Sequence, residues 1–335
     1  MKDTHWYIGD VRLDNHVIVG PLAGISNRAF RTIARQFGAG LTYTEMTSDK
    51  ALWFGSRKTE EMTVVEDDER PVSLQLFGRN IDTLVAAAQY VDRNSRCDII
   101  DINMGCPVPK VVKANGGCAL MLEPEHAYEL VKAVVQAVSK PVTVKIRSGW
   151  DANSINAVEI ARLMEQAGVK AIAVHPRTRT QYYSGHSDWD VIRQVKQAVG
   201  IPVIGNGDIR SVADMAAMGS QTGCDAFMVA RGCLGNPWLI SQLARYEQDG
   251  IILPDPDWHQ RFDQALDHAR RLIKLRGERN GIKEMRGHAC WYLTGLPNSN
   301  RVKAKINFME TYAQFAEILE HYGQALQDED YSWFE

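Results

Sequence analysis

Residues 142–175, VTVKIRSGWDANSINAVEIARLMEQAGVKAIAVH, decide the fold of this chain because they contain a complete strand–helix–strand unit. The run 142–146 is typical of a buried strand, and the apolar residues of 156–168 recur at helical spacing. The run 171–175 predicts a second buried strand. Two strands joined through a helix lie parallel in one sheet, so this stretch favours an α/β fold.

The same unit recurs on both sides of this stretch. β-rich runs that predict strands lie at 17–20, 41–45, 72–76, 99–103, 142–146, 171–175, 203–206 and 227–230. Helical patterns separate them, as at 80–92, 125–139 and 189–199. Eight such units in succession predict a (β/α)8 TIM barrel. The alternative, an open doubly wound sheet, needs a glycine-rich turn after its first strand, and residues 20–24 (GPLAG) lack G-x-G-x-x-G.

A second region follows the predicted barrel. Residues 250–257 (GIILPDPD) carry two prolines within three residues and predict a linker. Beyond it, the ranges 258–276, 283–293 and 298–322 have the patterns of amphipathic helices. We therefore predict a TIM-barrel domain over residues 1–249 and a small all-α helical domain over residues 250–335.

The composition is that of a soluble globular protein, with 45% apolar residues and a formal charge of −3. The start, MKDTHWYIGD, lacks an apolar run behind a basic segment, and no stretch approaches the roughly 18 apolar residues that span a bilayer. Six cysteines without a C-x-x-C pair argue against a disulfide framework and a zinc site. We expect a cytoplasmic protein without a metal, a membrane segment or an evident protein partner, and a monomer.

The basic charge is local. Residues 270–305 contain ten Lys or Arg and two Glu. Such a region is either a solvated helical face or a nucleic-acid-binding surface, and the charge alone leaves both interpretations open.

Polar, charged or conformationally unusual residues lie at the C-terminal ends of the predicted strands, where a barrel of this class carries its active site. They are Pro21, Leu22, Ala23, Glu45, Met46, Gln75, Asn103, Lys145, His175, Asn206, Gly207, Asp208, Arg231 and Gly232. Lys145 is the most informative of them, because a cation inside an apolar strand needs a partner or an anionic ligand.

Two glycine-containing turns favour a phosphorylated cofactor. Residues 204–208 (IGNGD) and 229–232 (VARG) follow the seventh and eighth strands, where barrels often bind phosphate. The glycines of either turn alone are also explained by a tight turn. FMN fits the remaining residues, because Lys145 would stabilise the negative charge of a reduced flavin ring and the Gln75 amide suits its pyrimidine edge.

Cys106 lies in the loop after the fourth strand, in residues 101–108 (DINMGCPV). A thiol at the mouth of a barrel is placed to deliver a proton to carbon; the alternative is a packed loop thiol. Cys118 is its only competitor, and we interpret the other four cysteines as structural.

Several motifs in this order resemble one known family. From about residue 7 to residue 322 the chain is similar to the tRNA-dihydrouridine synthases, most closely to their bacterial B-type branch. The Asn-x-Gly-Cys-Pro loop is the most specific of these motifs. They are residues 21–25 (PLAGI), 75–78 (QLFG), 101–107 (DINMGCP), 144–150 (VKIRSGW), 175–179 (HPRTR), 202–208 (PVIGNGD), Arg231 and 286–293 (RGHACWYL).

The resemblance implies an FMN enzyme that uses NADPH to reduce a uridine of tRNA. Hydride from flavin N5 would reach C6 of the base, Cys106 would protonate C5 as general acid, and Asn103 would hold the base. His175 would lie beside the flavin, while Arg177, Arg179 and Arg286 would contact tRNA. The other implied FMN contacts are Pro21, Leu22, Ala23, Gln75, Lys145, Asn206, Gly207, Asp208, Ala230 and Arg231.

The chain departs from the family pattern at three positions. Leu22 replaces the usual Met and keeps its apolar volume. Ala230 replaces a Gly, and its methyl group would crowd the phosphate if the backbone needed a positive φ. Gly287 stands where the B-type branch more often has a basic residue.

Two other functions fit part of the sequence. Another FMN barrel, such as a dihydroorotate dehydrogenase, would explain Lys145 and the phosphate turns but not the basic helical region. A non-catalytic RNA-binding protein would explain the basic region but would contain no flavin.

Overall fold

The strands of the computed structural model, which describes residues 4–334, follow the order that the sequence predicts. In chain order they are β1 (Trp6–Ile8), β2 (Val11–Leu13), β3 (Val17–Val19), β4 (Leu41–Tyr43), β5 (Thr47–Ser48), β6 (Val72–Phe77), β7 (Ile99–Met104), β8 (Val142–Arg147), β9 (Ile172–His175), β10 (Val203–Asn206) and β11 (Ala226–Val229). Eight of them, β3, β4 and β6 to β11, are parallel, and β3 also pairs with β11, which closes the sheet. The predicted TIM barrel is confirmed.

A hairpin that the sequence does not predict covers the N-terminal end of the barrel. Strands β1 and β2 pair antiparallel, and they add Ile8 and Leu13 to a core formed by side chains from the beginnings of the barrel strands, such as Ile18 and Ile99. Each strand of the hairpin has three residues, which is too short for an alternating pattern to stand out.

The helices around the barrel pack their apolar faces against the outside of the sheet in one large core. Local signals set their ends: the Asn80 side chain caps the fourth helix by accepting from the Thr83 N–H, and Gly168, at φ 98°, ends the seventh. These helices are α1 (Arg28–Gln36), α2 (Asp49–Trp53), α3 (Arg57–Glu61), α4 (Ile81–Asn94), α5 (Pro109–Lys113), α6 (Pro124–Ala137), α7 (Ala157–Ala167), α8 (Trp189–Ala198), α9 (Val212–Thr222) and α10 (Trp238–Asp249).

Four more helices follow residues 251–257, which form neither helix nor strand. They are α11 (Trp258–Arg276), α12 (Glu278–Tyr292), α13 (Ser299–Ile306) and α14 (Tyr312–Asp328). The prediction of one helix over 298–322 is wrong: Met309 is buried between α13 and α14, and the Thr311 side chain starts α14 by accepting from the Gln314 N–H. The helix predicted over 283–293 begins earlier, at Glu278.

These four helices have a core of their own, to which the barrel contributes Ala29 of α1. The Arg271 guanidinium donates to Thr32 Oγ1 at 3.0 Å and to Gln36 Oε1 at 2.5 Å, both on α1. Glu284 of α12 accepts a hydrogen bond of 2.7 Å from Asn27, the residue before α1. The helical region therefore rests on α1, while the domain boundary at residue 250 stays a prediction. Within residues 4–334, none of the helices is both long and apolar enough to cross a membrane.

Candidate active site

A cavity of about 380 Å³ lies at the C-terminal ends of the barrel strands. This volume is within the range of about 300–1,000 Å³ that small-molecule sites occupy. The thirteen residues that the sequence assigns to the flavin and the reacting base all line it. They are Pro21, Leu22, Ala23, Gln75, Asn103, Cys106, Lys145, His175, Asn206, Gly207, Asp208, Ala230 and Arg231.

Strand register brings the polar residues of the cavity floor together. Gln75 of β6 lies opposite Asp101 of β7, and Asp101 lies opposite Thr143 of β8. Alternation along β7 and β8 then places Asn103 and Lys145, which are also opposite each other, one layer higher on the same inner face. Three parallel strands thus build a two-layered polar floor beneath the cavity.

Asp101 is the centre of the lower layer. It is fully buried, and its two carboxylate oxygens accept hydrogen bonds of 2.7 Å from Gln75 Nε2 and Thr143 Oγ1. Burial raises the pKa of Asp101 to about 6, although these two hydrogen bonds act to lower it. Both oxygens of this carboxyl group act as acceptors, which is the behaviour of a carboxylate.

The loop after β7 holds Cys106 at the cavity wall. Its backbone N–H donates to Asn103 Oδ1 at 2.8 Å, and that of Gly105 donates to the same oxygen at 3.1 Å. The Cys106 thiol is half-buried, and burial raises its pKa above the ordinary value although Lys145 and Arg147 oppose the shift. A thiol that keeps its proton at neutral pH is suited to act as an acid.

Cys118 lies behind this loop and does not line the cavity. It is buried, its thiol donates to the Gly105 carbonyl at 2.9 Å, and its N–H donates to the Cys106 carbonyl at 3.1 Å. Burial raises its pKa to about 12. This thiol supports the loop of Cys106 and has no access to a ligand in the cavity.

Positive charge dominates the cavity. Its lining contains four cations, Lys145, Arg147, Arg210 and Arg231, against one carboxylate, that of Asp208. Within residues 4–334 the Lys145 ammonium has no hydrogen-bond or ion-pair partner, and burial lowers its pKa to about 8, with Arg147 acting in the same direction. A cavity of this kind favours an anionic ligand.

Arg147 is a buried cation that lies opposite His175 in the β8–β9 pair. Its guanidinium donates to the backbone carbonyls of Gly105, Thr178 and Tyr182, at 3.0, 2.9 and 2.7 Å. It thus ties the loop of Cys106 to the loop after β9. Burial and the neighbouring cations hold the pKa of His175 far below its ordinary value, so its imidazole is neutral.

The turns after β10 and β11 form the other end of the cavity. Gly207 has φ 121°, and a Cβ there would lie 2.4 Å from Ser187 Oγ, so only glycine fits without a shift. Within the described residues, the backbone N–H groups of Gly207, Asp208, Arg231 and Gly232 donate to no protein acceptor. Free N–H groups beside the Arg231 guanidinium are the donors that a phosphate needs.

Ala230 also lies at this end of the cavity, and the sequence left open whether its backbone needs a positive φ. Its φ is −129°, outside the left-handed region that glycine alone adopts freely. Because the backbone at Ala230 does not need a positive φ, its methyl group is not expected to crowd a phosphate.

A buried serine holds the loop that follows β3. Ser26 is buried, and its hydroxyl accepts from the Leu22 N–H at 3.0 Å and donates to the Gly20 carbonyl at 3.4 Å. Pro21, Leu22 and Ala23 therefore form a defined apolar edge of the cavity.

The three arginines expected at the RNA side do not line the cavity. Arg177 is buried and donates to the Ser184 and Gly185 carbonyls, to Ser187 Oγ and to Asp208 Oδ2, the last at 2.8 Å. Its guanidinium therefore ties the loop after β9 to the turn after β10 and is buried away from solvent. Burial alone would raise the pKa of Asp208, but this arginine and the Ser187 N–H lower it.

Arg179 and Arg286 are half-buried. The Arg179 guanidinium stacks on Trp150, 4.8 Å from the ring centroid, and its buried Nε has no acceptor within residues 4–334. Arg286 donates twice to the Met309 carbonyl, at 2.9 and 2.7 Å, and so supports the turn between α13 and α14.

Sequence reasoning missed several residues of the site, including Arg210 of the cavity lining and the three that follow. Arg147 had a signal, since it follows Lys145 by two positions on the same strand and thus shares its face. Asp101 also shares the inner face with Asn103. Tyr183 had none: it lies in an irregular loop, with the Arg231 guanidinium 4.5 Å from its ring centroid and the His175 ring 6.4 Å away.

Comparisons with known proteins identify the family of the chain. The sequence model of the family described as dihydrouridine synthase (Dus) matches residues 17–329. A probable tRNA-dihydrouridine synthase of Rickettsia conorii is 38% identical over 96% of this chain and 97% of its own length. The tRNA-dihydrouridine synthase B of Pseudomonas aeruginosa is 39% identical over 95% of this chain and 96% of its own, and that of Xanthomonas axonopodis pv. citri is 39% identical over 91% of both. The chain therefore belongs to the dihydrouridine synthase family.

Proposed function

We propose that this protein is a tRNA-dihydrouridine synthase that binds FMN, is reduced by NADPH and acts as a monomer in the cytoplasm. The observation that carries the proposal is a single cavity lined by both the protonated thiol of Cys106 and the unpartnered ammonium of Lys145. A proton donor beside an anion-binding cation is what reduction of a polarised carbon–carbon double bond requires.

The residues of the cavity fit FMN. The free N–H groups after β10 and β11, together with Arg231, would hold the phosphate. Lys145 would lie beside the electron-rich edge of the ring, with Gln75 on its pyrimidine side and the apolar loop of Pro21 to Ala23 against the ring system. When bound, FMN would take hydride from NADPH and supply it to C6 of a uracil.

Cys106 would complete the reduction from the protein side. The S–H bond would break as its proton goes to C5 of the base, and solvent would return a proton to the thiolate. Asn103 fixes the Cys106 loop through two backbone hydrogen bonds, so one amide would both position the acid and contact the base. Cys106 is the catalytic residue of this proposal.

The tRNA would contact both the cavity mouth and the helical region over residues 250–335, which we propose as the RNA-binding domain. Lys274, Arg279 and Lys283 are exposed, and within residues 4–334 none of them has an acidic partner. Cations of this kind are available for phosphate contacts. The target base must leave its stack to reach Cys106.

The test is to record the visible spectrum of the purified protein, add NADPH and unmodified tRNA, and assay dihydrouridine. Cys106→Ala should lose about a hundredfold or more in dihydrouridine formation while NADPH still bleaches the flavin. Cys290→Ala, a half-buried thiol of the helical region, is the matched control and should behave as wild type. A yellow protein that a small molecule reoxidises and tRNA does not, or a colourless protein that binds tRNA, would refute the proposal.

A further inference from the structure

A one-directional chain of hydrogen bonds joins Asp101 to the loop of Cys106. Gln75 Nε2 donates to Asp101 Oδ2 at 2.7 Å, and Asn103 Nδ2 donates to Gln75 Oε1 at 2.7 Å. The backbone N–H groups of Gly105 and Cys106 then donate to Asn103 Oδ1, at 3.1 and 2.8 Å. Every donor in this chain points toward the carboxylate.

The carboxylate sets that direction. An ionised carboxylate only accepts, so Gln75 must turn its NH₂ group toward Asp101 and its oxygen toward Asn103. Asn103 must in turn offer its NH₂ group to that oxygen. The backbone N–H groups of the loop, which only donate, demand the same orientation from the other end.

This orientation decides what Asn103 offers to the cavity. Its oxygen is saturated by two N–H donors, and one of its own N–H bonds is used by Gln75. Its second N–H lies toward Met46 Sδ, at 3.9 Å, a weak acceptor that also lines the cavity. A carbonyl oxygen of a ligand would replace this sulfur as a better partner.

We propose, resting on the function proposed above, that Asp101 is a positioning residue that fixes the amides of Gln75 and Asn103, so that Asn103 presents an N–H donor and selects a base with a carbonyl group at the contacted position. Cytosine shares the C2 carbonyl group of uracil but carries an amino group at C4, so the proposed contact is the one to the C4 carbonyl group. An amino group facing the Asn103 donor would leave two donors opposed and unpaired, which is costly in a buried site.

The test uses the flavin-loaded enzyme and two tRNA transcripts. The uridine that wild type converts to dihydrouridine is first mapped, and a second transcript carries cytidine at that position. The affinity of the oxidised enzyme for each transcript is then measured at one fixed salt concentration. Wild type should bind the uridine transcript about tenfold more tightly, and Asp101→Asn and Asn103→Ala should each bring the ratio close to one.

Three further measurements distinguish positioning from a general loss of structure. Asp225→Asn alters another carboxylate that bonds a strand, through the Val203 N–H at 2.7 Å, and should leave the ratio at its wild-type value. Gln75→Leu breaks the chain of hydrogen bonds at its middle without changing Asp101. It should lower the affinity ratio of the two transcripts even if Asp101→Asn does not fold. Asp101→Asn combined with Asn103→Ala should cost no more in single-turnover tRNA reduction than Asn103→Ala alone.

Two outcomes would overturn the inference: a wild-type ratio near one, or an Asp101→Asn enzyme with the wild-type ratio while Asn103→Ala has lost it. Additive losses in the double variant would overturn it as well, because Asp101 would then act independently of Asn103. A wild-type enzyme that forms no dihydrouridine would refute the proposed function instead, and the two failures are thereby distinguished.

Discussion

At the scale of single residues, Lys145 predicts how cofactor binding depends on pH. Its pKa is about 8 without a ligand, and an adjacent anionic group would raise it. The complex would then hold a proton above pH 8 that the free protein has lost, so FMN affinity should fall by up to about tenfold per unit as pH rises above about 8. FMN titrations of the apoprotein at several pH values would measure this, and Lys145→Met should bind more weakly below pH 8 and lose the dependence.

Gly207 lies at the end of the cavity where we propose that the FMN phosphate binds, and the structure leaves no room for a side chain there. An alanine would strain the backbone at φ 121° and place its Cβ 2.4 Å from Ser187 Oγ. We expect Gly207→Ala to lower the free energy of unfolding by about 1–2 kcal/mol and to weaken FMN binding more than tenfold, as thermal melts and FMN titration would report. Gly223→Ala also has a positive φ but open space around its Cβ, so it should lose stability and keep its FMN affinity. Equal FMN affinities in both variants would contradict this assignment.

Residues could be predicted from the sequence where a rule ties position to environment. A lysine in an apolar strand needs a ligand or a partner, and Lys145 lines the cavity as that rule predicts. The two-residue alternation of strands also indicates Arg147, which shares the face of Lys145 on β8. Tyr183 and the internal contacts of Arg177 depend on how irregular loops fold, for which the sequence carries no periodic signal.

At the scale of elements, helix α12 carries a basic stripe that ends at a glycine. Arg279, Lys283 and Gly287 follow one another at four-residue intervals and are exposed, with nothing within 4 Å of a Cβ at Gly287. Gly287→Ala should raise the free energy of unfolding by about 0.5–1 kcal/mol, measured by denaturant titration. Gly287→Lys should give a similar gain in the free energy of unfolding and should also raise the affinity for tRNA.

Gly287→Glu is the matched control for this stripe. It offers a comparable helix propensity with the opposite charge, so it should stabilise the helix and weaken tRNA binding. If Lys and Glu at this position gave the same tRNA affinity, the exposed side of α12 would not be part of the RNA-binding surface.

The sequence predicted the elements well where a periodic pattern extends over many residues. It predicted them poorly where a cap decides the point at which a helix ends or begins. All eight barrel strands were found, because each is an apolar run between helical patterns. The break between α13 and α14 was missed, since it depends on the burial of Met309, the cap from Thr311 and two hydrogen bonds from Arg286. These are tertiary contacts, and the amphipathic pattern continues through them.

At the scale of the whole molecule, the cavity and the helical region are joined through α1. The loop before α1 lines the cavity with Leu22 and Ala23 and ends at Asn27, which donates to Glu284 of α12. A net charge of −3 conceals local positive charge, namely the four cations of the cavity lining and the ten Lys and Arg of residues 270–305. An RNA that places a base at Cys106 would therefore be expected to reach the exposed cations of α12 as well.

This arrangement predicts a salt-dependent tRNA affinity with a contribution from α12 that can be counted. Arg279 and Lys283 are exposed and have no ion-pair partner among residues 4–334, so replacing both by alanine should leave the fold and the NADPH reaction intact. Each phosphate contact contributes about 0.7–0.9 to the magnitude of the slope of log K against log salt, so Arg279→Ala/Lys283→Ala should reduce that magnitude by about 1.4–1.8. Arg162→Ala/Lys170→Ala removes the same charge from exposed positions on α7 and before β9, and it should leave the slope unchanged. Equal slopes in the two double variants would show that the tRNA responds to net charge alone and that α12 makes no phosphate contact.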